Sequence, residues 1–317
     1  MLSRTADNLY WMGRYMERAE TMARLINVGA RMNLMPDTVD GYRSEWVPIL
    51  QATETYSAFE KKYGEAVERN VVSHLFFDKD NPSSVASCIG AARENARIVR
   101  TAISSSVWDA LNGAFQDLKD LERTPRSEIS ISQLTEWTAR QNALFEGGVQ
   151  TSLLRNDGYD FVNLGFHLER ADNTARILDV KYYVLLPDAG YVGSGLDNYQ
   201  WQTLLRAMQM HRAFHWAYGG EITPTKVVDL LILNAACPRS LLTAMQGATN
   251  HLDRLARHYG TTSEAQSEAR SLFADLSEMR ITDVFDHGVH EFLTRFKSQV
   301  ASIGAAVNRV YLTGVPA

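Results

Sequence analysis

The first residues that could do chemistry lie near the amino terminus, where carboxylates and arginines share one short segment. Glu17, Glu20 and Arg24 are spaced i, i+3 and i+7, so a helix would place them on one face, with Arg18 beside them. A carboxylate there could hold an amine or transfer a proton, and a guanidinium could bind a carboxylate or phosphate through two parallel hydrogen bonds. Glutamates and arginines at this spacing also form plain ion pairs. A ligand site and a structural ion-pair cluster therefore both stay open.

The same arrangement recurs 152 residues later, where Glu169, Asp172 and Arg176 repeat the spacing and Arg170 stands in the place of Arg18. A merely solvated face has little physical reason to keep this register in two diverged segments. If the groups clamp two copies together, we expect the first glutamate and the last arginine of each group to form buried ion pairs between the copies. If they line a cleft, the arginines would bind the carboxylate of an amino acid or peptide, and the glutamates its amine.

Neither group has the pattern of a metal site. Carboxylate-bridged metal sites of four-helix bundles use Glu-x-x-His, whereas the pairs here are Glu17-x-x-Glu20 and Glu169-x-x-Asp172. An arginine one turn further on already neutralises these carboxylates, which opposes metal binding. We expect no metal and no cofactor.

A third charged segment presents Arg93, Arg97 and Arg100 on one helical face, with Glu94 between them. Three guanidinium groups on one face could grip phosphate or carboxylate groups. The second half of the chain has lost all three arginines at the corresponding positions. The loss fits either a ligand site that is present once or a surface that is free to change.

Other motifs that define a reaction are missing from the sequence. It has no glycine-rich phosphate loop, no Gly-x-Ser-x-Gly and no His-Glu-x-x-His. His211 and His215 correspond to Tyr56 and Glu60 in the first half, which favours packing over zinc ligation. Catalytic residues therefore stay unknown.

Composition narrows the function classes further. The chain has 32 basic and 37 acidic residues and a net charge of −5, which argues against a nucleic-acid-binding protein. Cys88 and Cys237 are too far apart for a zinc motif. No apolar run approaches the length of a membrane span, and the first residues lack the apolar stretch of a signal peptide. We expect a cytoplasmic protein that binds no membrane.

Three collinear blocks indicate an internal duplication with offsets of 152, 155 and 156 residues. The matched blocks are Met12–Ile26 with Leu164–Leu178, Trp46–Gly64 with Trp201–Gly219, and Val71–Ser84 with Val227–Ser240. The duplication predicts two helical repeats, residues 1–152 and 153–317, in one compact unit.

The elements that must position these residues all show helical periodicity, and no stretch alternates as a strand would. Besides the two segments with the glutamates, the predicted helices are Val85 to Ala110, Leu134 to Leu154, Gln200 to Tyr218, Arg239 to Tyr259, Glu264 to Met279 and His290 to Tyr311. The expected fold is an all-α helical bundle of two repeats related by a pseudo-twofold axis.

Several segments resemble the bacterial alpha-E domain family. They are Leu2–Glu20, Phe77–Ser84, Ala91–Arg97, Leu168–Asp172 and Asp179–Tyr182, so the resemblance covers essentially the whole chain. The characteristic glutamates of the family would be Glu17, Glu20, Glu94 and Glu169. The chain departs from the pattern at Asp172, whose side chain is shorter.

The resemblance implies a genomic context rather than a particular reaction. Similar proteins are typically encoded beside, or fused to, a circularly permuted ATP-grasp ligase, which makes amides through acyl phosphates. A transglutaminase-like peptidase or an Anbu-type peptidase often accompanies them. The family thus implies an accessory protein of a peptide-synthesising system that binds the ligase or its amino-acid or peptide substrate. Two alternatives are an enzyme whose Glu/Arg clusters do acid–base work on an amine or peptide, and a purely structural, oligomerising bundle.

Overall fold

The computed structural model describes residues 1–33, 46–183 and 195–313. Within these ranges the regular elements are helices and no strand occurs, which confirms the predicted all-α fold. None of the helices there has the length and apolar composition that crossing a bilayer requires.

Seven α-helices make up the first half of the described chain. They are α1 (Ser3–Met32), α2 (Trp46–Ala52), α3 (Tyr56–Tyr63), α4 (Glu68–Val72), α5 (Val85–Ile98), α6 (Ser105–Arg123) and α7 (Ile131–Ser152). A π-helical turn, Ser73–Phe77, continues α4, and a short 3₁₀ turn, Arg126–Glu128, precedes α7.

Eight α-helices follow in the second half of the same described ranges. They are α8 (Asp157–Tyr183), α9 (Gly195–Ala207), α10 (His211–Tyr218), α11 (Pro224–Ile232), α12 (Leu241–Tyr259), α13 (Glu264–Glu278), α14 (Ile281–Asp286) and α15 (Val289–Val307). A π-helical turn, Asn308–Leu312, extends α15.

The long helices α1 and α8 form the centre of the molecule and run side by side in the same direction. Contacts between them follow the same order along both helices, from the amino group of Met1 at Asp157 to Glu17 at Arg170. Helices α5 and α7 pack on α1, as α12 and α15 pack on α8. Helix α2 packs on α8 and α9 on α1, so each half reaches across to the other's central helix. This exchange is what a pseudo-twofold arrangement requires; the duplication and the division at residue 152 stay predictions.

Two glycines allow the central helices to touch. A Cβ atom at Gly13 would lie 2.2 Å from the carbonyl oxygen of Val162, and one at Gly165 would lie 2.1 Å from that of Tyr10. Both distances are far inside van der Waals contact, so any larger residue would push the two backbones apart. The two glycines occupy matching positions of the first repeated block, and each meets the other helix.

Two predicted helices are shorter than expected. The helix predicted from Val85 to Ala110 ends at Ile98, and Ser104 begins a new one by accepting a hydrogen bond from the backbone of Val107. The helix predicted from Gln200 to Tyr218 is broken at Gln209, whose φ of +58° lies outside the helical region. Neither break contains a proline or glycine that would have predicted it from the sequence.

Candidate functional site

Glu169 binds two arginines of the other central helix. Its Oε2 accepts a hydrogen bond from Nε of Arg14 at 2.7 Å, and its Oε1 accepts one from Nε of Arg18 at 2.6 Å. A second bond from Arg18, 3.0 Å long, makes that pair bidentate. The Glu169 residue is only 1% exposed. This carboxylate therefore lies between the two halves and holds them together.

Glu17 makes the reciprocal contact with Arg170. Nε and Nη2 of Arg170 donate to the two carboxylate oxygens at 3.2 and 3.1 Å, and Glu17 is fully buried. The guanidinium of Arg170 also lies over the ring of Phe166. Each Glu-Arg dipeptide of the central helices thus pairs with the dipeptide of the other helix.

Glu20 is the third buried carboxylate of the cluster and has three partners. It accepts hydrogen bonds from Arg24 on its own helix, from Arg239 at 3.1 Å and from the Asn142 amide at 2.7 Å. Arg239 also donates to Glu17 at 3.2 Å, so it joins the two glutamates. We call this cluster the Glu–Arg network; its members are Arg14, Glu17, Arg18, Glu20, Arg24, Asn142, Glu169, Arg170 and Arg239.

The expectation that Arg24 and Arg176 form buried ion pairs between the copies is wrong for Arg24. Arg176 does pair with a carboxylate of the first half, Glu54 at 2.9 Å, although the Glu54 side chain is 67% exposed. Arg24 pairs with Glu20, and Arg176 pairs with Asp172 at 2.6 Å, each within its own helix because the spacing i, i+4 brings them together. Their remaining donors do cross to the other half. Nη1 of Arg24 donates to the carbonyl oxygen of Ala207 at 2.6 Å, and Nη1 of Arg176 to that of Ala52 at 3.2 Å.

The arginines set the charge of the buried carboxylates. Burial alone would raise the pKa of Glu169, but Arg14 and Arg18 outweigh it and hold that pKa at about 2. Burial would likewise raise the pKa of Glu20, and Arg239 and Arg24 lower it to about 2. Both groups are therefore ionised at neutral pH and are poor proton donors and acceptors.

The structure does not bring the third charged segment to this cluster. Arg97 and Glu94 pair with each other on the exposed face of α5, with N–O distances of 2.6 and 2.9 Å. Arg93 donates to Asn112 at 3.1 Å and lies over the ring of Phe115. These contacts fix the α5–α6 surface and leave the segment apart from the glutamates of α1 and α8.

Three members of the network were missed in the sequence. Arg14 lies one turn before Glu17, but the second half has Phe166 at its position, so the repeat did not select it. Asn142 and Arg239 come from α7 and from the loop before α12. Their sequence neighbours carry no signal, because their contacts depend only on how those elements pack on α1. Within the described part of the chain, no cluster of three His, Cys, Asp or Glu side chains has the geometry of a metal site.

Acid should destabilise the protein in two stages. Burial, and next to it the positive charge of neighbouring groups, lowers the pKa of His167 in the folded protein to about 3. In the unfolded chain this histidine becomes protonated below a pH of about 6.5, so the free energy of unfolding begins to fall there, in the first stage. The lowered pKa of Glu20 and Glu169 stabilises the fold above a pH of about 4.5, and this contribution is lost as the pH falls towards about 2.

Denaturant unfolding between about pH 7 and about pH 3 would measure both stages. The variant Glu169→Gln lacks one titrating carboxylate and should lose less stability in the lower stage than the wild type loses. A free energy of unfolding that stays constant over this range would contradict the assignment of these groups.

Two mycobacterial proteins are similar to this chain in sequence. An uncharacterized protein of Mycobacterium bovis is 24% identical over 255 residues, which cover 75% of this chain and 28% of that protein. An uncharacterized protein of Mycobacterium tuberculosis gives the same values. The chain thus spans less than a third of the length of these curated relatives. No solved structure matches it.

Residues 1–312 match a family described as a predicted alpha-helical domain with a conserved ER motif. Two Glu-Arg dipeptides of this chain, Glu17-Arg18 and Glu169-Arg170, are the ones that pair between the central helices. Because the match extends over nearly all of the sequence and the fold is entirely helical where it is described, the chain belongs to the Alpha-E family.

Proposed function

We propose that this chain is the helical partner of a circularly permuted ATP-grasp ligase in a bacterial amide-forming system, and that it binds the ligase or its amino-acid or peptide substrate. The observation that supports the proposal is that the matched region is only a small part of its relatives' length. The matched region fills only 28% of the Mycobacterium bovis protein, so there the helical unit is joined to a much longer chain. A unit of this kind is suited to work together with what it is attached to.

The Glu–Arg network is unsuited to acid–base catalysis. The carboxylates with a pKa of about 2 are charged at neutral pH and already bonded to arginines. A ligand that entered the network would have to break buried ion pairs, which is strongly unfavourable. The network therefore serves best as a rigid clamp, and a small ligand would bind elsewhere on the scaffold.

Co-expression with the ATP-grasp ligase of the same genome tests the proposal. We expect the two proteins to elute together, and the pair to form an amide-linked product from ATP and free amino acids that mass spectrometry detects. The ligase alone is the control and should form much less product. The transglutaminase-like and Anbu-type peptidases can be tested for elution with the pair in the same way. Separate elution together with unchanged product formation would contradict the proposal and favour a purely structural bundle.

An enzymatic role has one observation in its favour. Glu146 lies beside the network, with its carboxylate 3.8 Å from Arg170 and its side chain 41% exposed. Burial raises its pKa and Arg170 opposes that rise, so this carboxyl is accessible and less acidic than an ordinary one. If the chain acts as a non-catalytic partner of the ligase, Glu146→Gln should leave the turnover of the reconstituted pair unchanged. Loss of turnover with intact ligase binding would favour the enzyme instead.

A further inference from the structure

A pocket of about 430 Å³ that several charged and polar side chains line opens in the first half of the chain, outside the Glu–Arg network. It lies between the α2–α3 connection, α3 and the loop that leads into α5. We call it the Asp78 pocket, after its most buried carboxylate; the other polar residues that matter are Glu54, Thr55, Lys62, His74 and Asp80. Its volume lies in the range of small-molecule sites.

Carboxylates dominate the charge of the pocket. Asp78 is held in place by Lys62 at 2.7 Å, by the hydroxyl of Tyr63 at 3.2 Å and by the backbone N–H of Asp80 at 3.0 Å. Lys62 also donates to the Asp80 carboxylate at 2.7 Å. Glu54 adds a third carboxylate, whose Oε1 lies 2.9 Å from Nη1 of Arg176. Two cations, Lys62 and Arg176, face three carboxylates, so the group keeps one net negative charge.

The hydroxyl groups of the wall add acceptors rather than donors. Thr53 donates its proton to the carbonyl oxygen of Leu50 at 3.1 Å. Its oxygen lies 2.8 Å from that of Thr55, so Thr55 must donate in this pair. The Thr55 oxygen is then left as an acceptor. Lys62 has already committed two of its three N–H groups, so a guest that carries several donors fits the wall best.

His74 gives a second and independent sign of a guest. This ring lines the pocket and is 3% exposed. The Asn81 amide is oriented by the backbone N–H of Ser83, at 3.0 Å, and its NH₂ group faces Nε2 of His74 at 3.4 Å. The ring proton is therefore on Nδ1, which lies 3.5 Å from Asp78 and has no hydrogen-bond partner among the described residues. A buried N–H without a well-aligned acceptor is rare, and here it borders the cavity, so it favours a guest that carries an acceptor as well as donors.

The second half of the chain does not repeat this chemistry. In the block with an offset of 156, the two aspartates correspond to Asn234 and Ala236, and His74 corresponds to Leu230. The same loop of the second half carries Arg239, which binds the Glu–Arg network instead. The pocket is thus a property of the first half and not an unavoidable product of the fold.

We propose that the Asp78 pocket binds the primary ammonium group of an amino acid or short peptide. Asp78, Asp80 and Thr55 would accept its N–H groups. The third N–H of Lys62 and the Nδ1–H of His74 are the donors left for the carboxylate of the same molecule. The inference deepens the proposed function, because an amide-forming ligase needs an amine; the role of the bound amine rests on that function, whereas the binding itself does not.

Calorimetry on the full chain tests the binding directly. The probes are the standard L-amino acids and L-alanyl-L-alanine, each compared with its N-acetyl counterpart, which has the same skeleton without the ammonium group. We expect at least one free amine to bind and its acetylated form to bind about tenfold more weakly or worse. Asp80→Asn should weaken that binding by about tenfold as well.

The variants separate binding from folding. The Asp80 side chain is 85% exposed, so its replacement should leave the fold intact, whereas Asp78→Asn is a stronger but riskier second variant. Asp120→Asn is the matched control, since that aspartate pairs with Arg123 on the exposed face of α6. Binding of no free amine at millimolar concentration, equal binding of the acetylated probes, or equal loss in the control would each overturn the proposal. Amine binding without ligase association would uphold the pocket and contradict the proposed function, and the reverse result would do the opposite.

Discussion

Replacing Glu20 with alanine is expected to lower the free energy of unfolding by about 3–5 kcal/mol. The change removes the carboxylate partner of Arg24, which is 2% exposed, and one of the two glutamates that bind Arg239. It also takes an acceptor from the buried amide of Asn142. A buried guanidinium without its carboxylate cannot recover this interaction from water, so the folded state bears the full loss.

Equilibrium denaturation in urea would measure the effect, with Glu94→Ala as the matched control. Glu94 forms the same kind of pair with Arg97, but both side chains are about half exposed, so its removal should cost no more than about 1 kcal/mol. Equal midpoints for Glu20→Ala and the wild type would show that the cluster is accessible to water in solution. That result would restore the network as a candidate ligand site.

A single methyl group at Gly165 should be nearly as harmful. The Cβ atom of Gly165→Ala would meet the carbonyl oxygen of Tyr10 at 2.1 Å, and a backbone atom cannot rotate away as a side chain can. The central helices would have to separate, which loosens the packing around Glu17 and Glu169. We expect a loss of about 3 kcal/mol in the free energy of unfolding.

The opposite result is expected at Gly147, which makes this glycine the control. Gly147 lies within α7, and no neighbouring atom comes within 4 Å of the position that a Cβ methyl group would take there. Since alanine favours the helix over glycine, Gly147→Ala should stabilise the protein by about 0.5–1 kcal/mol. If thermal unfolding shows Gly165→Ala to be as stable as the wild type, the two helices do not approach each other as closely as described.

The all-α fold and the shared face of Glu17, Glu20 and Arg24 could be predicted because both depend on local periodicity. A helix of 3.6 residues per turn brings positions i, i+3 and i+7 together whatever surrounds it. For the same reason the Arg24–Glu20 pair is a local property of α1. The repeat also pointed to the Glu-Arg dipeptides as a pair, although it could not say what each would bind.

Only the tertiary structure decided which charges meet. Arg14 and Arg239 bind the same cluster from 155 and 219 residues away from their partners Glu169 and Glu20, and no local pattern encodes such a contact. The Asp78 pocket likewise depends on contacts between residues that no local sequence pattern encodes. Its segment stood out in the sequence as a family resemblance and as part of a repeated block, but not as a pocket, because Lys62 reaches the aspartates through the packing of α3 against the loop before α5. Helix formation is set by neighbours along the chain, whereas the partner of a buried charge is set by which helices come close enough to exclude water.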